Sequence, residues 1–565
     1  MSENAAALSA KITRSEWGMV AVVIMALLGL TAVPYLLAYT TTQPDTVFMG
    51  TLMNPEDSQT YFAKMLQGLD GHWRYTITFT AEPHDPAFLG GFYLLLGHIA
   101  RWTGASLQMV WHVSRILSVV VLLIVGYGFI AYFVAERRTR LTAYLLAVFS
   151  AGLGWLLFAL GQPYWLDAFP LDFKMPEAHL FFMSLTFPHI ILSTAVILGS
   201  FYAMLRAYDY KNQKKGWGFA LLAALLNLSL GILHPLMIYV VILTNSLYWL
   251  VLAWRARQVL WYEGWVLLVA YGLPGLLYLY YGYSLLSNEI LRGWDANSNQ
   301  SEAITRPWPH YFVAFGPYIL LTLIFGMQQR RQTTLRNNKL TFLWMWLWAT
   351  LILLFIPLNS QRRIIQGVHI PLSILAAAGF VQVVVPWLLS TRAVRRLLTN
   401  PRYTVAKLSR FITAVFLLTM SLSNLYILAS TSASAVIQQP DPLFRTADEM
   451  AAVAWLRAEN GTAPAPVLLG DYQTGNLVAA RAGNQVVVGH WAETIRYEDK
   501  LAAVAQFYND DTDDGWRQML LAQYNVAYVW HGPREQQLGS FAPETAVYLH
   551  PVYQNDTITI YTVVE

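Results

Sequence analysis

The chain has 565 residues, of which 56% are hydrophobic and only 12% charged, and its net charge is +4. A soluble protein of this size carries roughly a quarter charged residues, so a water-soluble globule is excluded, and so small a positive excess leaves no footprint for nucleic acid. The absence of cysteine excludes disulfides, thiolate metal sites and thiol chemistry.

The polar N-terminus (Met1–Ser15) leads into an apolar run without a small-residue cleavage signal, which reads as a retained first helix. Runs of about 20 apolar residues, the length needed to cross a bilayer, recur near residues 16–38, 111–134, 141–160, 186–206, 217–233, 235–254, 261–283, 311–328, 340–357, 368–389 and 409–431. The pattern predicts a polytopic α-helical membrane protein of about 11 transmembrane helices. Abundant Trp (21) and Tyr (32) suit the two membrane interfaces.

One more stretch, Ala87–Trp102, is short for a span and holds Gly90, Gly91, Gly97 and His98. The bias of Lys and Arg toward cytoplasmic loops decides its fate. With this stretch left on the outer side, re-entrant or lying on the surface, the predicted cytoplasmic segments collect 21 Lys and Arg. The outer loops then hold only Lys64, Arg74, Arg101, Lys174, Arg292, Arg306, Arg362 and Arg363. Making it a span would invert every later loop. The N-terminus is therefore expected in the cytoplasm of an inner-membrane protein.

From about Gln439 the chain turns polar. Short apolar runs such as "QVVVGH" (485–490) and "TITIYTVV" (557–564) read as strands, and "TADEMAAVAWLRAEN" has helical periodicity. The expected organisation is a transmembrane module over 1–438, with large outer loops at 39–110, 161–185 and 284–310, and an extracytoplasmic α/β domain over 439–565. That domain has no GxGxxG, P-loop or zinc-ligand spacing.

The outer loops concentrate acids and histidines. Glu56 and Asp57 open an amphipathic helix in "NPEDSQTYFAKM" (Asn54–Met65), where they serve either as helix caps or as a general base. Arg362 and Arg363 stand at the outer end of a span against the charge trend. They either anchor to headgroups or bind a lipid phosphate, for which guanidinium is suited. Glu82, His84 and Asp85 precede Ala87–Trp102; Asp172, Glu177 and His179 lie in the second loop; His189 and His234 lie at outer span ends. These are candidate substrate-binding residues. Carboxylate and imidazole also suit Mg, Mn or Zn, although no spacing such as HExxH fixes a metal site.

This order of parts resembles the GT-C superfamily of membrane glycosyltransferases, which includes dolichyl-phosphate-mannose-type protein mannosyltransferases and lipid A aminoarabinose transferases. The residues that carry it are "NPEDSQTYFAKM", Ala87–Trp102, "FPH" (Phe187–His189), "LHP" (Leu233–Pro235) and "QRRIIQGVHIPL" (Gln361–Leu372). The resemblance implies transfer of a sugar from a polyprenyl-phosphate donor to an acceptor glycan, lipid or protein, with inversion. It implies Asp57 as base, Glu56 as its neighbour or substitute, and Arg362 and Arg363 on the lipid phosphate. The motif here is Glu-Asp after Asn-Pro, which leaves open which acid acts and whether a metal is used. A transporter or flippase of lipid-linked saccharides would have similar hydropathy, but it would bring inverted repeats and mid-membrane charges, and neither is evident. A non-catalytic subunit of an envelope complex would keep the topology and lose the acids.

Overall fold

The structure, a computed structural model, describes residues 12–297, 307–331, 338–358 and 360–564. Among the described residues eight helices are long and apolar enough to cross a membrane. They are Arg14–Thr40, Leu107–Phe133, Pro188–Asp209, Lys214–Leu233, Met237–Ala256, Trp261–Ser287, Pro309–Arg330 and Gln361–Ser390. In a bilayer only a closed backbone hydrogen-bond ladder satisfies every peptide group, which is why the apolar runs become helices. Large apolar side chains such as Met25, Trp254 and Leu276 stay exposed on them, as a lipid solvent allows. The protein is an integral, multi-pass membrane protein.

The other three predicted spans have distinct forms. Val405–Met420 and Leu422–Gln438 form one pair bent by 45°. Asn338–Leu354 is apolar but only 17 residues long. The segment predicted over 141–160 is not one helix: Arg137–Phe149 stops, and a short helix Gly154–Ala159 follows. The break has a steric cause. A Cβ on Gly152 would lie 2.4 Å from the Ala314 Cα, so the chain here presses backbone against backbone.

Contacts divide the chain into two compact units. A helical unit comprises Met1–Val33, Arg115–Tyr278 and Gln300–Thr431; a sheet unit comprises Pro34–Ser114, Leu279–Asn299 and Ser432–Glu565. The sheet unit thus joins the segment predicted as the first outer loop to the C-terminal residues. Arg306 and Glu302, both in the predicted outer loop 284–310, lie outside the described residues.

In the sheet unit, five strands stand in the order β4-β3-β5-β7-β6. Strands β3 (Ala465–Leu469), β4 (Asn484–Val486) and β5 (Val526–His531) run parallel, while β6 (Leu549–Gln554) and β7 (Thr559–Val563) add an antiparallel edge. Val467, Leu469, Val487, Phe507 and Val529 fill the core, and Ala81 from the first loop packs into it. A small antiparallel ribbon pairs β1 (Thr46–Phe48) with β2 (Phe444–Thr446), a second tie between loop and domain.

The Ala87–Trp102 stretch forms the helix Gly91–Thr103. Thirteen residues reach about 20 Å, short of the roughly 30 Å hydrocarbon core. Its glycines let it press on the first-loop helix Pro55–Asp70. A Cβ on Gly97 would lie 2.0 Å from the Met65 carbonyl oxygen, and one on Gly68 2.1 Å from that of Leu94.

Candidate functional site

The helix Pro55–Asp70 starts with Pro55 in its first position, and Gly71 closes it in the left-handed conformation, φ 102°. Glu56 and Asp57 fall in its first turn, where the positive end of the helix dipole favours ionised carboxylates. The residue in the capping position is Asn54, and no side chain caps the helix.

The two acids have different surroundings. Both Glu56 oxygens are engaged: Oε2 accepts from the Tyr472 hydroxyl at 3.0 Å and Oε1 from Gln473 Nε2 at 2.7 Å. Asp57 Oδ1 lies 3.1 Å from His490 Nε2, and about a third of the Asp57 side chain remains exposed (32%). Tyr472 and Gln473 follow β3, and His490 follows β4. The acid pair therefore meets the carboxyl ends of parallel strands, where open α/β sheets generally place their ligands.

Buried ion pairs hold this arrangement. Lys64 Nζ donates to Glu493 Oε1 at 2.7 Å, and the Tyr75 hydroxyl donates to Glu493 Oε2 at 2.8 Å. Lys64 is seven residues beyond Asp57, two turns along the same helix face, and Glu493 is three residues beyond His490. The ion pair and the Asp57–His490 contact thus share one seam.

Of the other first-loop candidates, Glu82 Oε2 accepts from Lys500 Nζ at 2.7 Å and from the Thr80 hydroxyl. Burial works to raise the Glu82 carboxyl, yet Lys500 beside it holds it below the usual range. His84 accepts from the Ile77 amide at Nε2 (2.9 Å) and meets the Glu82 carbonyl at Nδ1 (2.8 Å), so backbone occupies both ring nitrogens. Burial also pushes its imidazole below the usual range. Asp85 is exposed. Glu82 and His84 are therefore tied into the loop's own structure.

The helical unit gathers the remaining candidates. Arg362 and Arg363 sit on a single 3-10 turn, Gln361–Ile365. Arg363 Nε lies 3.7 Å from Glu177 Oε1. Burial first, and the Arg363 charge next, hold the His234 imidazole down to about 3. The His234 ring lies 5.6 Å from that of His189. Gln366, beside them, donates to Ser193 Oγ at 2.7 Å and Thr194 Oγ1 at 2.9 Å. The structure thus collects Arg363, Glu177, His189 and His234 into one polar group, in which Arg363 alone stays partly exposed. Asp172 does not join it: its Oδ2 accepts from the Gly154 amide at 2.8 Å and the Ser423 hydroxyl at 3.1 Å. His179 packs 4.6 Å from His369, ring to ring, and neither ring has a hydrogen-bond partner among the described residues. A cavity of about 570 Å³, lined by Trp308, Phe312, Trp348, Leu351, Ile365 and Val368, adjoins the arginine turn through Ile365.

Sequence reading missed His490, Tyr472, Gln473 and Gln366 as site residues. His490 had one usable signal, since it directly follows an apolar strand run, where a parallel sheet presents its functional loop. Nothing in the linear pattern linked it to Asp57.

No protein-family model and no curated protein matches the sequence. Solved structures do match. The archaeal oligosaccharyltransferase AglB from Archaeoglobus fulgidus, in complex with an inhibitory peptide and a dolichol-phosphate, superposes with a TM-score of 0.55 at 12% identity. That match covers 92% of this chain and 70% of AglB. ArnT from Cupriavidus metallidurans in the apo state gives a TM-score of 0.52 at 12% identity, over 97% of this chain and 98% of ArnT. The Archaeoglobus fulgidus oligosaccharyltransferase in complex with Zn and sulfate gives 0.50 at 12% identity, over 90% and 68%. In this chain, among the described residues, no three His, Cys, Asp or Glu converge as a metal site would require. The chain therefore shares its fold with the oligosaccharyltransferase AglB and with ArnT.

Proposed function

We propose that the protein is a membrane glycosyltransferase that moves a sugar from a polyprenyl-phosphate donor to an acceptor hydroxyl on the extracytoplasmic face, with Asp57 as general base. The observation that carries this reading is the unequal treatment of the acid pair. Glu56 gives both oxygens to Tyr472 and Gln473, whereas Asp57 meets His490 at the carboxyl edge of the sheet. Glu56 is then a structural anchor and Asp57 the proton acceptor.

In the reaction the acceptor hydroxyl gives its proton to Asp57 as its oxygen attacks the anomeric carbon. The bond from that carbon to the phosphate oxygen breaks, and polyprenyl phosphate leaves with the electron pair. Arg362 and Arg363 are assigned to that phosphate, with His189 and His234 beside Arg363. Fixed guanidinium charge favours the developing anion more than the bound ester, which is the condition for rate acceleration. The apolar cavity next to Ile365 suits the prenyl chain. Among the described residues no three His, Asp or Glu converge to hold a metal. The strong basic bias of the predicted inner loops supports the outward orientation of the sheet unit.

The test is transfer of label from a polyprenyl-phosphate hexose or pentose in membranes carrying the full chain. Asp57→Asn should lower transfer by about 10²- to 10⁴-fold, the usual contribution of a general base. Full transfer by this variant would overturn the assignment. Arg363→Ala should raise the donor KM or lower kcat by roughly 10- to 100-fold, the worth of a charge-assisted hydrogen bond. A reporter fused after Glu565 should be active only outside the cytoplasm.

A further inference from the structure

We infer that His490 is the positioning residue for Asp57, which it holds as a hydrogen-bond donor through Nε2; this inference rests on Asp57 being the base. The backbone settles the tautomer. The Ala492 amide can only donate, and it points at His490 Nδ1 from 3.3 Å. Nδ1 therefore presents its lone pair, and in a neutral imidazole the single proton sits on Nε2. That nitrogen faces Asp57 Oδ1 at 3.1 Å, and a carboxylate oxygen accepts.

The surroundings immobilise the ring. Phe79 meets it edge-on at 6.1 Å, and Trp491 lies along it at 5.8 Å. The His490 carbonyl accepts the amides of Glu493 and Thr494, both at 2.9 Å. The Thr494 hydroxyl in turn donates to the Phe79 carbonyl at 2.8 Å and accepts from the Gly489 amide at 3.0 Å. A general base must meet its proton at about 3 Å, and a displacement of about 1 Å can cost on the order of 10²-fold in rate. The domain supplies His490 to the first-loop acid for this purpose.

The experiment compares three variants of the full chain in the label-transfer assay, with amide exchange over 484–494 as a folding control. Asp57→Asn should lower transfer by about 10²- to 10⁴-fold. His490→Phe should lower kcat roughly ten- to a hundred-fold while leaving the donor KM unchanged. His490→Gln, whose amide can donate from near the Nε2 position, should recover most of that loss. In ¹⁵N spectra the imidazole signals that vanish in His490→Gln should belong to a ring bare at Nδ1 and protonated at Nε2. If His490→Phe unfolds the segment, the Gln variant and the spectrum decide. Normal kcat in His490→Phe, equal damage by Phe and Gln, or a proton on Nδ1 would each overturn the inference while the base assignment stands. Full transfer by Asp57→Asn would instead remove the base, and the positioning role with it.

Discussion

Lys64→Met tests whether the seam between the first-loop helix and the C-terminal domain is held as the structure shows. Lys64 and Glu493 are 8% and 6% exposed, and their charged atoms are 2.7 Å apart. Removing one partner of a buried pair leaves an uncompensated charge, which costs about 3–5 kcal/mol. Glu493 keeps the Tyr75 hydroxyl on its other oxygen, and Lys64 loses only one further bond, to the Thr60 carbonyl at 3.2 Å. The lower half of that range is therefore expected. At about 1.4 kcal/mol per decade, 3 kcal/mol corresponds to roughly a hundredfold faster opening. Amide exchange of the segment 484–500 in the purified full chain reads this directly, because local opening sets the exchange rate. The double variant Lys64→Met with Glu493→Gln should recover most of the loss, since neutral replacement of both charges is often nearly costless and Gln still accepts from Tyr75. Exchange unchanged in the single variant, or equally fast in the double, would refute the reasoning. Because Asp57 lies on the same helix face, the single variant should also slow sugar transfer.

Three further outcomes follow from particular contacts. Gly97→Ala places a methyl 2.0 Å from the Met65 carbonyl oxygen and 2.8 Å from the Gly68 Cα, both backbone atoms, so the helix pair must separate. A loss of about 2–3 kcal/mol is expected from such overpacking, measured by thermal melting of the purified protein. Glu535 is buried, and burial lifts its carboxyl to about 7 despite donors from the Asp471 amide and the Thr474 hydroxyl. A folded value above the unfolded one means that stability is full below the ordinary Glu range and is lost as pH rises toward 7. Exchange protection of the sheet should therefore fall between about pH 4.5 and 7 by a few kcal/mol, and Glu535→Gln should flatten that slope. Glu56→Gln should cost stability more than catalysis, because it disturbs the bonds from Tyr472 and Gln473 and leaves Asp57 in place; loss of transfer as deep as in Asp57→Asn would reverse the roles of the two acids.

The amino-acid sequence by itself determined the membrane character, because a bilayer demands about 20 apolar residues per helix and that demand is written locally. It also pointed to Ala87–Trp102 as no ordinary span, through its shortness, its glycines and the Lys and Arg bias of the later loops, and Gly97 and Gly68 explain how closely its 13-residue helix packs. It marked Glu56, Asp57, Arg362 and Arg363 as outlying charges. Tertiary structure alone decided what each of them meets. The run over 141–160 was apolar enough for one helix, yet backbone contact between Gly152 and Ala314 breaks it, and a partner some 160 residues away leaves no periodic trace. Glu82, His84 and Asp172 had the right chemistry for a site, but Glu82 Oε2 is taken by Lys500, both His84 ring nitrogens by backbone groups, and Asp172 Oδ2 by Ser423 and the Gly154 amide. Asp57 and Glu56 are adjacent and alike in sequence, and only the fold separates them, by bringing Tyr472 and Gln473 to one and His490 to the other. Those partners lie more than 400 residues away. A hydrogen bond across that separation depends on strand order and helix register together, and neither is encoded at any single position.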